Sequence, residues 1–403
     1  MNIVSLSLSN LKFRLSSSLF NMLILALGIA TIVTLLHVSE QIDQRFERDL
    51  QGIDLVVGAK GSPIQLILSS VFHLDIPNGN IPLAEAERFK ANPLVKSAIP
   101  VALGDNYNGF RIVGTTTEYI DHYAGKLAQG RLYNAQMEAV LGSEVAKKNM
   151  LEPGDTIVGA HGLVNSDDLH TDFPYTIVGI LQPTGTVLDR LVLTPVESVW
   201  HVHEHPDPDD PEEVAYKKAH PEKEITSLLI TYKSPMAAVT LPREINKTSS
   251  MEAASPAFEM ARLIKLLGVG SDTIELFAAV LMAIAATGFF VTLFNAVNDR
   301  RYDIALMRSL GATRGRIFAF VLAEGLTLGF FGTVLGIALG HGFAYGAQCW
   351  IEQTRHMQLN SIGFHHYEGY IVLVALALSM IAALIPAQLA YKVNVAKVLS
   401  RGS

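Results

Sequence analysis

The sequence is nearly free of cysteine: Cys349 is the only one in 403 residues. No disulfide within the chain is available, so each folded domain has to be held by its own core. Charge is also scarce, at 17% Asp, Glu, Lys and Arg, and its balance is a net −7, which gives no support to nucleic-acid binding. The motifs that carry chemistry are missing as well. There is no H-E-x-x-H, no serine in a nucleophile-elbow pattern, and Cys349 sits beside an apolar run, so hydrolase chemistry has nothing to rest on. One stretch is phosphate-like, DLVVGAKGSPIQLI from Asp54 to Ile67. Its Gly58 and Gly61 are three apart and Lys60 precedes Gly61 and Ser62, which does not match the G-x-x-x-x-G-K-[ST] loop. The chain reads as a non-enzyme with no nucleotide site of its own.

What it has in excess is apolar sequence, 49% of residues, with a mean hydropathy of +0.30. The excess is concentrated in four runs, Leu19–Val38, Leu276–Val297, Ile317–Gly346 and Tyr370–Ala390, each meeting the roughly 20 residues that a membrane-crossing helix needs. The first exceeds a signal-peptide core and no small-x-small cleavage site follows it, so it is expected to stay in the chain. Basic residues gather in three places: Lys12 and Arg14; Arg300, Arg301, Arg308, Arg314 and Arg316, against Asp299 and Asp303; and Lys392, Lys397 and Arg401. By the positive-inside rule these segments face the cytoplasm, and the acidic remainder lies outside. The expected fold is an integral membrane α-helical protein of four transmembrane helices, with a large extracytoplasmic α+β domain inserted between spans one and two.

The expected boundaries follow. Residues 1–18 form a cytoplasmic amphipathic helix lying on the bilayer, 19–38 the first span, 39–272 the external domain with helical stalks, and 273–297 the second span. Residues 298–316 form a cytoplasmic helical connector, 317–346 the third span, 347–369 a short external segment, 370–390 the fourth span and 391–403 a cytoplasmic tail. Within the external domain AEAERFKAN reads as a helix. FRIVGTT, DTIVGA, YTIVGILQ, RLVLTP and SLLITY read as strands, rich in β-branched residues and bounded by Gly, Pro or Asp, and the interleaving makes the class α+β. In the third span Gly332, Gly336 and Gly340 repeat every four residues, a small-residue face that lets another helix approach closely.

The connector is amphipathic. Ile304, Leu306, Met307 and Leu310 have helical spacing and Gly311 follows as a helix-ending residue. Glu324, one to two turns into span three, is the one clear acid inside a span, and such a residue is costly unless paired; close to the cytoplasmic end, it is expected either to snorkel to the surface or to pair with Arg314 or Arg316. Residues 200–224 turn to dense charge and proline, the composition of an exposed loop. There His201, His203 and His205 alternate, with Asp207 close by, a ligand set that suits Zn²⁺; the competing reading is a solvated polar loop. A second group, His356, His365, His366 and Glu368, occupies the other external segment.

These features together resemble the permease subunits of ABC transporters of the MacB, LolC/LolE and FtsX type. The resemblance is carried by NLKFRLSSSLFNMLILALGIA at the first span, by GFRIVGTTTEY, GRLY, AVLGSEVAKKN, EPGDTIVGA and YTIVGILQPTGTVLD in the domain, and by RRYDIALMRSLGATRGRI and IPAQLAYKVNVAKVLS beyond it. It implies that Arg300, Arg301, Asp303, Ile304, Leu306, Met307, Arg308, Leu310, Gly311 and Ala312 contact an ATPase that uses ATP and Mg²⁺. Asp303 stands where the family has Glu. Unlike the MacB branch the chain shows no fused ATPase, so a separate ATPase subunit is expected, together with a second permease chain, the lipid bilayer and a periplasmic adaptor or binding protein. The implied location is the bacterial inner membrane, with work done on an amphipathic, lipoprotein or peptide-like cargo. Two alternatives stand beside it: a zinc-linked transporter using His201–His205, and a non-transporting regulator of a periplasmic enzyme.

Overall fold

The computed structural model describes residues 15–160, 171–203, 223–267, 271–355, 363, 365–395 and 398. The chain divides into two compact units, Met1–Ile42 with Val269–Ser403, and Asp43–Gly268.

The inserted unit begins within the first helix, α1 (Leu15–Leu50), and continues through β1 (Leu55–Ala59), α2 (Pro63–Ser70), β2 (Ile81–Pro82), α3 (Leu83–Lys90), β3 (Val95–Tyr107), β4 (Phe110–Thr115), α4 (Glu118–His122), β5 (Leu127–Gly130), β6 (Glu138–Leu141) and α5 (Ser143–Asn149). It is completed by β7 (Thr156–Ile157), β8 (Tyr175–Leu181), β9 (Leu191–Thr194), α6 (Val196–His203), β10 (Glu224–Ile225), β11 (Ser227–Tyr232), α7 (Pro235–Thr248), β12 (Met251–Ala254) and α8 (Pro256–Leu267). Ten strands form one mixed sheet in the order β12-β1-β11-β3-β4-β9-β6-β8-β5, with β7 on β8; β2 and β10 pair separately. Among the described strands only β4 with β9 and β6 with β8 run parallel.

Both faces of this sheet are covered, which is why its strands read as nearly continuous apolar runs. Alternation still sorts the side chains: Val56 and Leu229 face a core shared with Leu66, Ile67, Tyr119 and Ile120, while Leu55, Val57, Leu228 and Ile230 face Phe89, Val199, Leu241 and Ile245. The β3–β4 hairpin turns on Asn108 (φ 48°) and Gly109 (φ 82°), the left-handed pair that a two-residue hairpin loop requires. The strand expected over DTIVGA shrinks to Thr156–Ile157 and one bridge from Ala160 to Asn106. Where the sequence looked phosphate-like, β1 passes into α2, whose first turn is capped by Ser62 accepting from the Gln65 amide at 3.4 Å. A Cβ on Gly58 would stand 2.4 Å from Leu66 Cδ1, so this glycine serves close helix–sheet packing. The last turn of α1 is bonded into the unit: the Asp49 carboxylate accepts the Val187 amide at 2.7 Å and its carbonyl accepts the Tyr123 hydroxyl at 2.9 Å.

The helical unit contains α9 (Ser271–Asp299), α10 (Arg301–Ser309), α11 (Arg314–Arg355) and α12 (His366–Tyr391) with the first part of α1. Among the described residues four stretches are long and apolar enough to cross a membrane: Ser18–Leu50, Leu276–Asp299, Arg314–Trp350 and Tyr367–Tyr391. Their shared core is Leu25, Ile29 and Val33 from α1, Met282, Phe289 and Leu293 from α9, Leu328 from α11, and Ile371 and Ala375 from α12. Glycines set the close approaches. A Cβ on Gly336 would lie 2.8 Å from Ile29 Cβ and 2.9 Å from the Ala26 carbonyl, and one on Gly340 would lie 2.7 Å from Val33 Cβ. The Thr34 hydroxyl crosses the same seam to the Gly340 carbonyl at 3.1 Å. The external segment expected at 347–369 begins inside α11, which stays helical to Arg355. The amphipathic segment expected at 1–18 lies outside the described residues except for Leu15–Ser18, already part of α1.

Candidate functional site

The connector between spans two and three is shorter as a helix than 298–316: α9 closes at Asp299, α10 covers Arg301–Ser309, and α11 opens at Arg314. Gly311 ends α10 with φ +98°. The Ala312 amide reaches back to the Met307 carbonyl and the Gly311 amide to that of Arg308, both at 3.1 Å, a Schellman closure that needs the left-handed residue glycine tolerates. Thr313 then caps α11, its hydroxyl accepting the Arg316 amide at 3.3 Å.

One face of α10 is fastened down. Ile304 and Ala305 are buried against Val297, Ile317, Phe320, Val321, Ala387 and Ala390, with Met307 and Ala312 at the margin. Burying Ile304 alone contributes about 2 kcal/mol. Arg308 donates to the Val393 carbonyl at 2.5 Å. Arg300 turns inward: its Nε donates to the Ala296 carbonyl at 2.9 Å, and its two terminal nitrogens fork onto the Glu324 carboxylate at 3.0 and 2.9 Å. This corrects the sequence expectation of Arg314 or Arg316 for Glu324. The pair is bidentate, the geometry that best offsets the desolvation of two buried charges. Arg314 instead lies over the Tyr391 ring, 5.8 Å from its centre.

The other face carries Arg301 and Asp303, exposed, and an apolar row: Tyr302 is 50% exposed, Leu306 45% and Leu310 81%. Four-residue spacing keeps these on one side of the helix. Of the ten residues expected at the contact, Arg301, Asp303, Leu306, Leu310 and Gly311 are thus open, Met307, Arg308 and Ala312 half-buried, and Arg300 and Ile304 committed to the bundle. Tyr302 was passed over in the sequence, although its spacing to Leu306 was the available signal.

The histidines are placed differently from expectation. His201 and His203 lie in the last turn of α6 rather than in a loop. His201 packs edge-on to Phe173 at 5.2 Å; His205 and Asp207 lie outside the described residues, as does His356. His365 and Glu368 of the second group do come together, and with two histidines the sequence did not single out. The His37 ring centre is 4.7 Å from that of His341 and 4.6 Å from that of His365. Glu368 stands 3.3 Å from His341 Nε2 and accepts the His365 amide at 3.1 Å. In the sequence His37 and His341 are single histidines in or beside apolar runs, with no local signal of a site.

Four apolar helices, an α+β domain inserted in sequence between the first two, and a short amphipathic helix between spans two and three define a polytopic membrane protein of the permease type. The family descriptions "MacB-like periplasmic core domain" and "FtsX-like permease C-terminal" match residues 18–247 and 275–395. The chain belongs to this family of ABC transporter permeases, whose members work with ATPase partners. It is 26% identical over 420 residues to the lipoprotein-releasing system transmembrane protein LolE of Haemophilus influenzae, covering 93% of each chain. It is 23% identical over 347 residues to the pyoverdine export ATP-binding/permease protein PvdT of Pseudomonas putida, covering 81% of this chain and 49% of that protein. The periplasmic region of MacB from Actinobacillus actinomycetemcomitans aligns with 53% of this chain at 14% identity and a TM-score of 0.35.

Proposed function

We propose that this chain is a permease subunit that transmits the work of ATP hydrolysis, done with Mg²⁺ by a separate ATPase subunit, to the inserted domain on the other side of a bacterial inner membrane. Both termini and α10 face the cytoplasm, where the basic clusters lie, and two permease chains, alike or unlike, pair with two ATPases. The observation that carries this reading is α10 itself. One face is locked to the bundle by Ile304, Ala305 and Arg308, while Tyr302, Leu306 and Leu310 are left uncovered. A helix held on one side and apolar on the other suits docking into a groove of a partner. Transmission rather than a polar conduit is supported by the glycine-tight seams between spans, and by α1, in which the chain passes from one unit to the other without a break. The similarity to LolE supports an amphipathic or lipid-modified cargo, extracted or exported. The test is co-expression with the co-encoded ATPase. Arg301→Glu and Leu306→Asp should abolish co-purification and stimulated ATP hydrolysis while leaving the melting temperature unchanged. A chain that works without an ATPase, or is indifferent to both substitutions, would overturn the reading.

A further inference from the structure

We propose that the helical unit holds a Zn²⁺ site built from His37 of span one, His341 of span three, and His365 and Glu368 at the start of span four. These four residues are brought together by tertiary packing alone. A ligand atom from each of His37, His365 and Glu368 lies within 4.8 Å of the others, and His341 Nε2 stands 3.3 Å from Glu368 Oε2. Bonds of about 2.0–2.1 Å in tetrahedral geometry put donors roughly 3.4 Å apart. The His341–Glu368 separation already meets this; the His37, His365 and Glu368 donors need closure by up to about 1.4 Å, and His341, outside that group of three, joins it through Glu368.

The decisive atom is His37 Nε2. The residue is wholly buried, its Nδ1 is held by the Tyr367 hydroxyl at 2.9 Å, and its Nε2 has no hydrogen-bond partner among the described residues. A buried polar atom without a partner calls for an explanation, and a metal supplies one. The outer contacts have the form that metal-bound imidazoles use, one ring nitrogen anchored and the other left to the ion. Tyr367 anchors His37, and the Gly363 carbonyl anchors His365 at Nδ1, 3.2 Å away. Three imidazoles and one carboxylate suit Zn²⁺, whereas Mg²⁺ and Ca²⁺ take oxygen ligands. Without a metal the same residues act as a hydrogen-bonded stitch between spans, in which the Gly363 carbonyl lies beside the His37 ring without closing a hydrogen bond to Nε2. Bound Zn²⁺ ties spans one, three and four together at one end of the bundle.

The experiment uses the full-length protein in detergent, stripped with a chelator at pH 8 and titrated with Zn²⁺ alone, with Co²⁺ as a spectroscopic stand-in. The expected result is one Zn²⁺ per chain and the visible bands of tetrahedral Co²⁺. His37→Gln and Glu368→Gln should weaken binding by roughly 100-fold or more, and Tyr367→Phe, which removes only an outer contact, by about 10-fold. His201→Ala should leave affinity unchanged. Failure of the stripped wild-type protein to bind Zn²⁺ would sink the proposal without reference to any variant. So would equal binding by wild type and a His37→Gln protein that elutes as a single folded species, or loss of the site in His201→Ala.

Discussion

Two buried histidines, one in each unit, make a controlled comparison. His37 in the bundle holds a tyrosine hydroxyl with Nδ1 and has an unpartnered Nε2; His73 in the inserted domain holds the Tyr119 hydroxyl with Nε2 at 3.0 Å and has an unpartnered Nδ1. What differs is the company. Around His37 stand two more imidazoles and a carboxylate. His73 is set among cations: burial first, then Arg111 and Arg190, push its pKa down to about 3. An orphaned ring nitrogen alone therefore does not mark a ligand site. Its neighbours decide, and those of His73 repel a cation.

The largest break to that comparison comes from a third buried ionisable group, one whose partner is complete. Glu324→Ala would strand Arg300 without its counter-charge, and the expected loss is about 3–5 kcal/mol, read as a fall in the melting temperature; an unchanged melt would mean that the pair is not holding the bundle. Next comes acid. His73 takes its proton in the unfolded chain near pH 6.5 but in the folded domain only near 3. The unfolded state thus binds more protons between those values, and its contribution is complete above pH 6.5 and lost as pH falls. By pH 5 the loss is about 2 kcal/mol, and His73→Gln should flatten that slope in melts from pH 7 to 5. The third contrast is His37→Phe in chelator-treated protein, which removes an unpaired nitrogen along with one hydrogen bond. A change within about 1 kcal/mol is expected, against a clear loss when Zn²⁺ is present, and equal effects in both conditions would erase the distinction from His73. The smallest is Gly311→Ala. Its φ of +98° costs a side chain about 1–2 kcal/mol, without a clash, since nothing lies within 4 Å of the added carbon. The readout is reduced hydrogen-exchange protection confined to α10.

Much of the bundle was legible because bilayer thickness and helical rise act locally: a run of about 20 apolar residues is enough to announce a span. The stripe of Gly332, Gly336 and Gly340 was legible for the same reason, since four-residue spacing lies on one helical face. Glu324 could be recognised as needing a partner, but its neighbours in sequence, Arg314 and Arg316, were the wrong ones. The guanidinium that reaches it comes from Arg300, across the turn of a separate helix. In α10 the periodicity marked Ile304 and Leu306 alike as apolar, and only packing separates the buried first from the 45% exposed second.

From the sequence alone came the class of protein, the number of spans, the inserted α+β domain and the amphipathic connector, all written in composition and period. Tertiary structure decided which charges are paired, which face of α10 is left uncovered, and that His37, His341, His365 and Glu368 meet. Helical and strand periods record how each segment meets its immediate surroundings. Residues 300 positions apart converge only through the packing of whole helices, and no local pattern encodes that.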